Sequence, residues 1–471
     1  MNNKKTELIR NTFIIMFGKL CTQFVSFLLL PLYTKYIITK DFGFIDLIHT
    51  YVSLFVPVIT LQLEMAAFRM LIDSRNKDDE TSTVISTSFG LLFTYPIIII
   101  CIYFIFVNYF KIKYGYIIGI IIFVSMVYSF LLQTSRGLGD NIKYSVACSI
   151  NGLSLVIFNI ITIVVFDLGV QGMLISMISA YILASIYLYT QLNLQRYVKM
   201  NKIKKSIGVK MLKYSLPLVP NGISWWIVNA SDRTIISIFL GVTYNGIYAV
   251  SNKFSSLFAG IFNVFQLSWT ETVSLHINDH DNTKFITSSM NSILKLLVSI
   301  CVIMIGVMPF LFKILIDNNY YEAYYNIPIL MVGMLFSVIV GLYAGIYIAL
   351  KKTKQVMYTS LISAALNILL NVLLIRYIGL YAASISTLIA YAVMAISRDF
   401  GIKKYHNIKW DYKFIFISIC FFVVEFYTYY KNETILNIIM LFTSLIFSCF
   451  TLRKYIIESI KNIKKKHYLS K

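Results

Sequence analysis

The chain has 471 residues, of which 58% are hydrophobic and only 13% charged, with a mean hydropathy of +0.74. Soluble domains carry about 25% charged residues, so the composition excludes an ordinary soluble enzyme or binding module and fits a polytopic membrane protein. The formal net charge of +21 would suit a nucleic-acid partner, but nearly all the cations sit in links between apolar runs, which excludes that reading.

In chain order, "MNNKKTELIRN" leads into an apolar run over roughly 12–37. It is too long for the h-region of a signal peptide, and no A-x-A-like site follows. It reads as the first spanning helix. Further runs follow at roughly 43–68, 84–108, 114–134, 142–166, 170–193, 213–240, 244–269, 286–316, 326–350, 356–376, 378–397, 412–430 and 434–452. A spanning helix needs about 20 mostly apolar residues, so the expectation is an all-α polytopic membrane protein of about 14 transmembrane helices. With the N-terminus inside, the inner links and run edges hold 31 Lys or Arg and the outer ones 7. The positive-inside rule then places both termini in the cytoplasm, and the basic links are suited to anionic membrane lipids.

The basic link 195–212 divides an N-terminal six-helix lobe (1–194) from a second six-helix lobe (213–400). Two additional helices (401–452) and a basic cytoplasmic tail (453–471) follow. The lobes carry a weak repeat. With Gly43 laid over Gly246, "GFIDLIHTYVSLF" aligns with "GIYAVSNKFSSLF", each after a short outer turn. Parallel repeats are a transporter architecture. All seven prolines fall within or at the ends of apolar runs, where they serve as hinges or as plain packing kinks.

The six cysteines lie in apolar runs and form no C-x-x-C, so metal, redox and disulfide roles are not expected. "HINDHD" (276–281) lacks the Glu beside its first His that a zincin needs, and reads as a solvated link. No phosphate-binding loop with G-x-x-x-x-G-K-[ST] spacing is present. No cofactor, metal or catalytic nucleophile is expected.

Four cations lie inside apolar runs: Lys19, Arg233, Lys253 and Lys295. An intramembrane charge costs about 2.5–3.5 kcal/mol on insertion scales and marks a functional site by default. Lys19 lies near enough to a run end to snorkel instead, and Arg233 has the alternative of a carboxylate partner. Among the acids, Asp232, Glu64 and Asp46 lie within or near spans. Each either carries a coupling H+ or Na+ or plays a structural part. Glu64 and Arg69 together read as an inner gate or an ion pair. Asp232 and Arg233 project about 100° apart on a helix, so they are poor partners for each other and each needs its own polar environment.

Three motifs of the first helical pair, "LPLYTKYI" (30–37), "DFGFIDL" (41–47) and "EMAAFRM" (64–70), resemble the Wzx-type oligosaccharide flippases of the multidrug/oligosaccharidyl-lipid/polysaccharide (MOP) exporter superfamily. The second half resembles the same family through "YSLPLVPN" (214–221), "ASDRTIISIFLG" (230–241), "NGIYAVSNKF" (245–254) and "FQLSW" (265–269). "SWTE" (268–271) departs from it, since many relatives place a proline soon after the Trp. The resemblance implies two pseudo-symmetric six-helix lobes plus two peripheral helices, with a cavity lined mainly by helices one, two, seven and eight.

The activity implied is translocation of undecaprenyl-pyrophosphate-linked oligosaccharide repeat units across the bacterial cytoplasmic membrane. The products would be O-antigen, capsule or exopolysaccharide, with a polymerase and a chain-length regulator as further partners. On this reading Arg233, Lys253, Lys295 and Lys19 face the pyrophosphate and glycan, while Asp232, Glu64, Arg69 and Asp46 serve ion coupling or gating. A multidrug or lipid II exporter of the same superfamily is the nearest alternative. A drug exporter would carry fewer cavity cations. A membrane-embedded polymerase or glycosyltransferase would need a larger outer loop than any present, and a non-catalytic assembly scaffold ranks below it.

Overall fold

The structure is a computed structural model that describes residues 18, 24, 25, 27–75, 77–277, 279 and 281–469. It is 88% helical, with no strand among the described residues. It divides into two compact units, Met1–Ala249 and Val250–Lys471.

In the first unit, α1 (Leu30–Tyr36) carries Pro31 in its opening turn, where a missing N–H is no loss. The run read as one span over 43–68 is divided. Helix α2 (Thr39–Ile59) ends, Leu61 and Gln62 adopt φ of 53° and 54°, and α3 (Leu63–Asp73) starts afresh. Left-handed backbone is uncommon for such residues, so the sequence carries no break signal there. Hydrogen bonds hold the break: the Gln62 backbone N–H donates to Pro57 O at 3.0 Å, and Gln62 Nε2 donates to Leu218 O at 3.0 Å.

Next come α4 (Asp78–Phe110), α5 (Gly115–Leu138), α6 (Asn141–Asn159), α7 (Gly169–Gln191), the short α8 (Leu194–Tyr197), α9 (Lys205–Ser215) and α10 (Leu218–Phe239). Helix α6 continues into wide π-type turns at Ile160–Val165. There Thr162 Oγ1 lies 2.9 Å from Ser176 Oγ and 3.0 Å from Gly172 O of α7. Small and hydroxyl residues at such seams let backbones approach closely in lipid.

Helix α11 (Val242–His276) begins in the first unit and ends in the second. The second unit adds α12 (Asn282–Leu315), α13 (Ala323–Ala349), α14 (Thr353–Ile378), α15 (Tyr381–Ile402), α16 (Tyr412–Lys431) and α17 (Thr434–Leu469). Eleven helical stretches among the described residues are long and apolar enough to cross a membrane. Of the other three predicted runs, the first lies largely outside the described residues. The remaining two fall on α10, with 22 residues, and α11, with 35.

Arg398 needs a correction. The charge pattern counts it as a link cation, yet it is only 2% exposed. From α15 its guanidinium donates to Val340 O (2.8 Å) on α13 and to Thr359 Oγ1 (3.0 Å), Ser360 Oγ (2.9 Å) and Val356 O (3.2 Å) on α14. One planar fork thus ties three helices through neutral acceptors. Its loss would remove four hydrogen bonds from a charged donor, each worth about 1.5–3 kcal/mol, although the Thr359 and Ser360 hydroxyls keep their bonds to Gln355 O and Val356 O. Arg398→Ala is therefore expected to destabilise the second unit by about 3 kcal/mol or more, read as a lowered unfolding midpoint in detergent. Arg398→Met, which keeps much of the stem volume, should fare little better, because the hydrogen bonds that tie α15 to α13 and α14 are still lost.

Candidate functional site

Asp232 and Arg233 lie side by side in α10, and the structure sends them to different partners. Arg233 Nε donates to Asp46 Oδ2 of α2 at 2.8 Å, with only 16% and 13% of the two side chains exposed. Asp232, 6% exposed, accepts from the Tyr248 hydroxyl of α11 at 3.1 Å. The 100° offset between neighbouring helical residues is the reason. Removing one partner of a buried ion pair costs about 3–5 kcal/mol, because the survivor is left charged and desolvated.

Asn245, fully buried in the first turn of α11, completes the arrangement. Its Nδ2 donates to Gly43 O at 2.9 Å and approaches Asp46 Oδ2 at 3.4 Å. Gly43 and Gly246 meet here. A Cβ on Gly43 would overlap Val242 O, and one on Gly246 would overlap Thr39 O. In each case the blocking carbonyl stands four residues before the opposing glycine. The two positions aligned as a repeat therefore touch reciprocally. On the next turns of α2, Trp226 Nε1 donates to Thr50 O at 2.9 Å, and the Tyr51 hydroxyl lies 3.1 Å from Thr234 Oγ1.

The other predicted residues lie elsewhere. Glu64, 6% exposed at the start of α3, accepts from Thr60 Oγ1 at 2.9 Å. Arg69 pairs with Asp73 at 2.6 Å on an exposed surface. Lys253 is half-buried on α11, two turns beyond Asn245. Lys295 of α12 pairs with Asp411 at 2.8 Å and lies 5.4 Å from the centre of the Phe414 ring. The Lys295 ammonium and the Phe414 backbone N–H hold the Asp411 carboxyl below the usual carboxylate range. Lys19 and His280 lie outside the described residues, and His276 Nδ1 lies 2.7 Å from Asp279 Oδ2.

Two participants escape the sequence reading, Asn245 and Tyr248. Both stand in the quoted "NGIYAVSNKF". A polar residue directly before a repeat glycine is the signal that would have pointed to Asn245.

Chemically, the site presents an arginine whose counter-charge is a neighbouring carboxylate. A guanidinium matches phosphate oxygens as well as carboxylate oxygens, so a phosphate placed beside Arg233 would compete with Asp46 for the same group.

Residues 8–269, more than half of the chain, match the family described as polysaccharide biosynthesis protein. No curated protein matches the sequence. Among solved structures the chain is similar to the lipid II flippase MurJ in an inward closed conformation. The TM-score is 0.68 at 16% identity, covering 97% of this chain and 100% of that one. It is also similar to an inward-facing multidrug resistance MATE transporter of the MOP superfamily (TM-score 0.61, 12% identity, 79% and 92% covered). A variant of the Vibrio cholerae MATE transporter VcmN gives 0.60 at 11% identity, with 85% and 97% covered. Such identities speak for the fold alone. Fold and family match together carry the conclusion: the chain has the fold of the MOP transporters and belongs to the polysaccharide biosynthesis protein family.

Proposed function

We propose that the protein translocates undecaprenyl-pyrophosphate-linked oligosaccharide repeat units across the bacterial cytoplasmic membrane by alternating access, with both termini cytoplasmic. The observation that supports this reading is Arg233, a largely buried guanidinium in the apolar helix α10, paired with the Asp46 carboxylate at 2.8 Å. Asp46 neutralises Arg233. A pyrophosphate displaces the carboxylate, so the cation passes from one anion to another without a fully unpaired state. Lys253, Lys295 and Lys19 contribute further positive charge along the path. Asp232 receives the coupling H+ or Na+, and Glu64 and Arg69 act in gating. The moving lobes are residues 1–194 and 213–400, joined by 195–212, with 401–452 and the tail 453–471 outside them. A polymerase and a chain-length regulator receive the product.

The reading is tested by deleting the gene in its host. Surface glycan should be lost and lipid-linked units should accumulate, and plasmid-borne wild type should reverse both. Undiminished surface glycan would remove the reading. Lipid II is the second candidate substrate, favoured by the likeness of nearly the whole chain to MurJ. It predicts instead that deletion blocks cell-wall synthesis and leaves surface glycan precursors unchanged.

A further inference from the structure

A further buried charge-bearing group lies in the C-terminal helix pair, remote in sequence from Asp46 and Arg233. Glu425 is the only acidic residue between Asp411 and Glu433. It stands in α16, a 20-residue span that ends at Lys431, about 9 Å of helix further on. It is 1% exposed. Its Oε1 accepts from Ser444 Oγ of α17 at 3.3 Å. Its Oε2 is buried with no hydrogen-bond partner among the described residues. Gly306 of α12 makes the room, since a Cβ there would stand 3.0 Å from Ser444 Oγ and 3.5 Å from Glu425 Oε1.

No cation answers this carboxyl among the described contacts. On α12 the titratable neighbour is Cys301, fully buried and within electrostatic reach. Lys295, on the same helix, is paired with Asp411 and lies eleven residues before Gly306, about 16 Å along the axis. Lys313 lies seven residues after Gly306, about 10 Å away. On α16 the next turn brings Tyr429, whose hydroxyl donates to Tyr324 O of α13 at 2.9 Å. On α17 the facing residues are Ser444 and Ser448, and Ser448 Oγ donates to Ser299 O of α12 at 3.2 Å. An ionised carboxylate held by one hydroxyl in such a setting is strongly disfavoured by desolvation. Hard metal cations take about six or more oxygen ligands, and Glu425 with Ser444 brings three. A proton alone neutralises the group without further ligands.

We propose that Glu425 is a proton-binding site inside the membrane span, and that the bound proton is what lets α16 and α17 dock on α12. Loss of the proton places a bare carboxylate against Gly306 and loosens the pair. Docking is therefore complete while the proton is held and weakens as pH rises. The inference does not depend on the identity of the transported substrate.

The test uses the purified full-length protein in detergent. Infrared difference spectra of wild type should contain a protonated-carboxyl band that Glu425→Gln removes. The unfolding midpoint of wild type should fall as pH is raised from neutral into the alkaline range, whereas Glu425→Gln, which mimics the neutral acid, should stay flat. Should Glu425→Gln fail to fold, Ser444→Ala provides the same reading. It removes the hydroxyl donor to Oε1, so the band should persist at a shifted frequency and the fall should move to higher pH. The proposal is overturned if the band is absent from wild type or unmoved in both variants. It is equally overturned if wild type and Glu425→Gln share one pH profile. A midpoint that responds to Na+ at fixed pH, and loses that response in Glu425→Gln, would show a metal cation as the occupant and would also overturn it.

Discussion

Arg233→Ala is expected to lower transport on the order of a hundred-fold, the equivalent of about 2.7 kcal/mol of lost anion contact. It also leaves Asp46 with Asn245, at 3.4 Å, as its remaining side-chain contact among the described residues. Thermal stability should therefore fall too, because a broken buried pair costs about 3–5 kcal/mol. Arg233→Lys keeps the charge but loses the planar fork, and partial transport should survive. Asp46→Asn separates the two roles. It removes the competitor for the guanidinium, so a pyrophosphate-bearing ligand should bind more tightly while release slows and turnover drops. Binding and transport measured on the same preparations check all three. Equal turnover in wild type and Arg233→Ala would assign the pair a purely structural role.

Gly43→Ala and Gly246→Ala should each be severe, and the structure predicts that they are alike. In both, the added methyl meets a backbone carbonyl, Val242 O in one case and Thr39 O in the other. Neither obstacle is a flexible side chain that can swing aside. Forcing a methylene into close packing costs about 1–3 kcal/mol, occasionally more, and here the only relief is to part α2 from α11. That separation also lengthens the bonds from Asn245 to Gly43 and Asp46. Unfolding midpoints and transport of the two variants should fall together. A full defect in one with a wild-type partner would contradict the reciprocal contact.

Much of this was legible in the residues. The spans follow from hydropathy because a helix in lipid must satisfy its backbone internally. The separate fates of Asp232 and Arg233 follow from helical geometry. The Gly43/Gly246 alignment marks a repeat, whereas the contact between the two glycines comes from the packing of α2 on α11. What escaped was tertiary. Nothing in "VITLQLE" announces the break at Leu61 and Gln62, because the Gln62 side chain is captured by Leu218, which is 156 residues away. Arg398 was grouped with link cations because a hydropathy run ends at its first charge, whereas its guanidinium turns back into a seam of carbonyl and hydroxyl oxygens. Glu425 was passed over because one acid hardly alters the mean of an apolar window. Its isolation between Asp411 and Glu433 was the available sign.

Passage of a pyrophosphate-linked glycan past the buried Arg233 guanidinium is the core of the proposed transport. It is tested most directly in proteoliposomes loaded with a fluorescent undecaprenyl-pyrophosphate oligosaccharide, by following its exposure to a membrane-impermeant quencher or glycosidase. Wild type should make the inner-leaflet pool accessible. Arg233→Ala, at matched reconstitution, should leave that pool as protected as protein-free vesicles do. Equal rates for wild type and Arg233→Ala, or wild-type vesicles no faster than protein-free ones while a cationic drug is carried, would contradict the account.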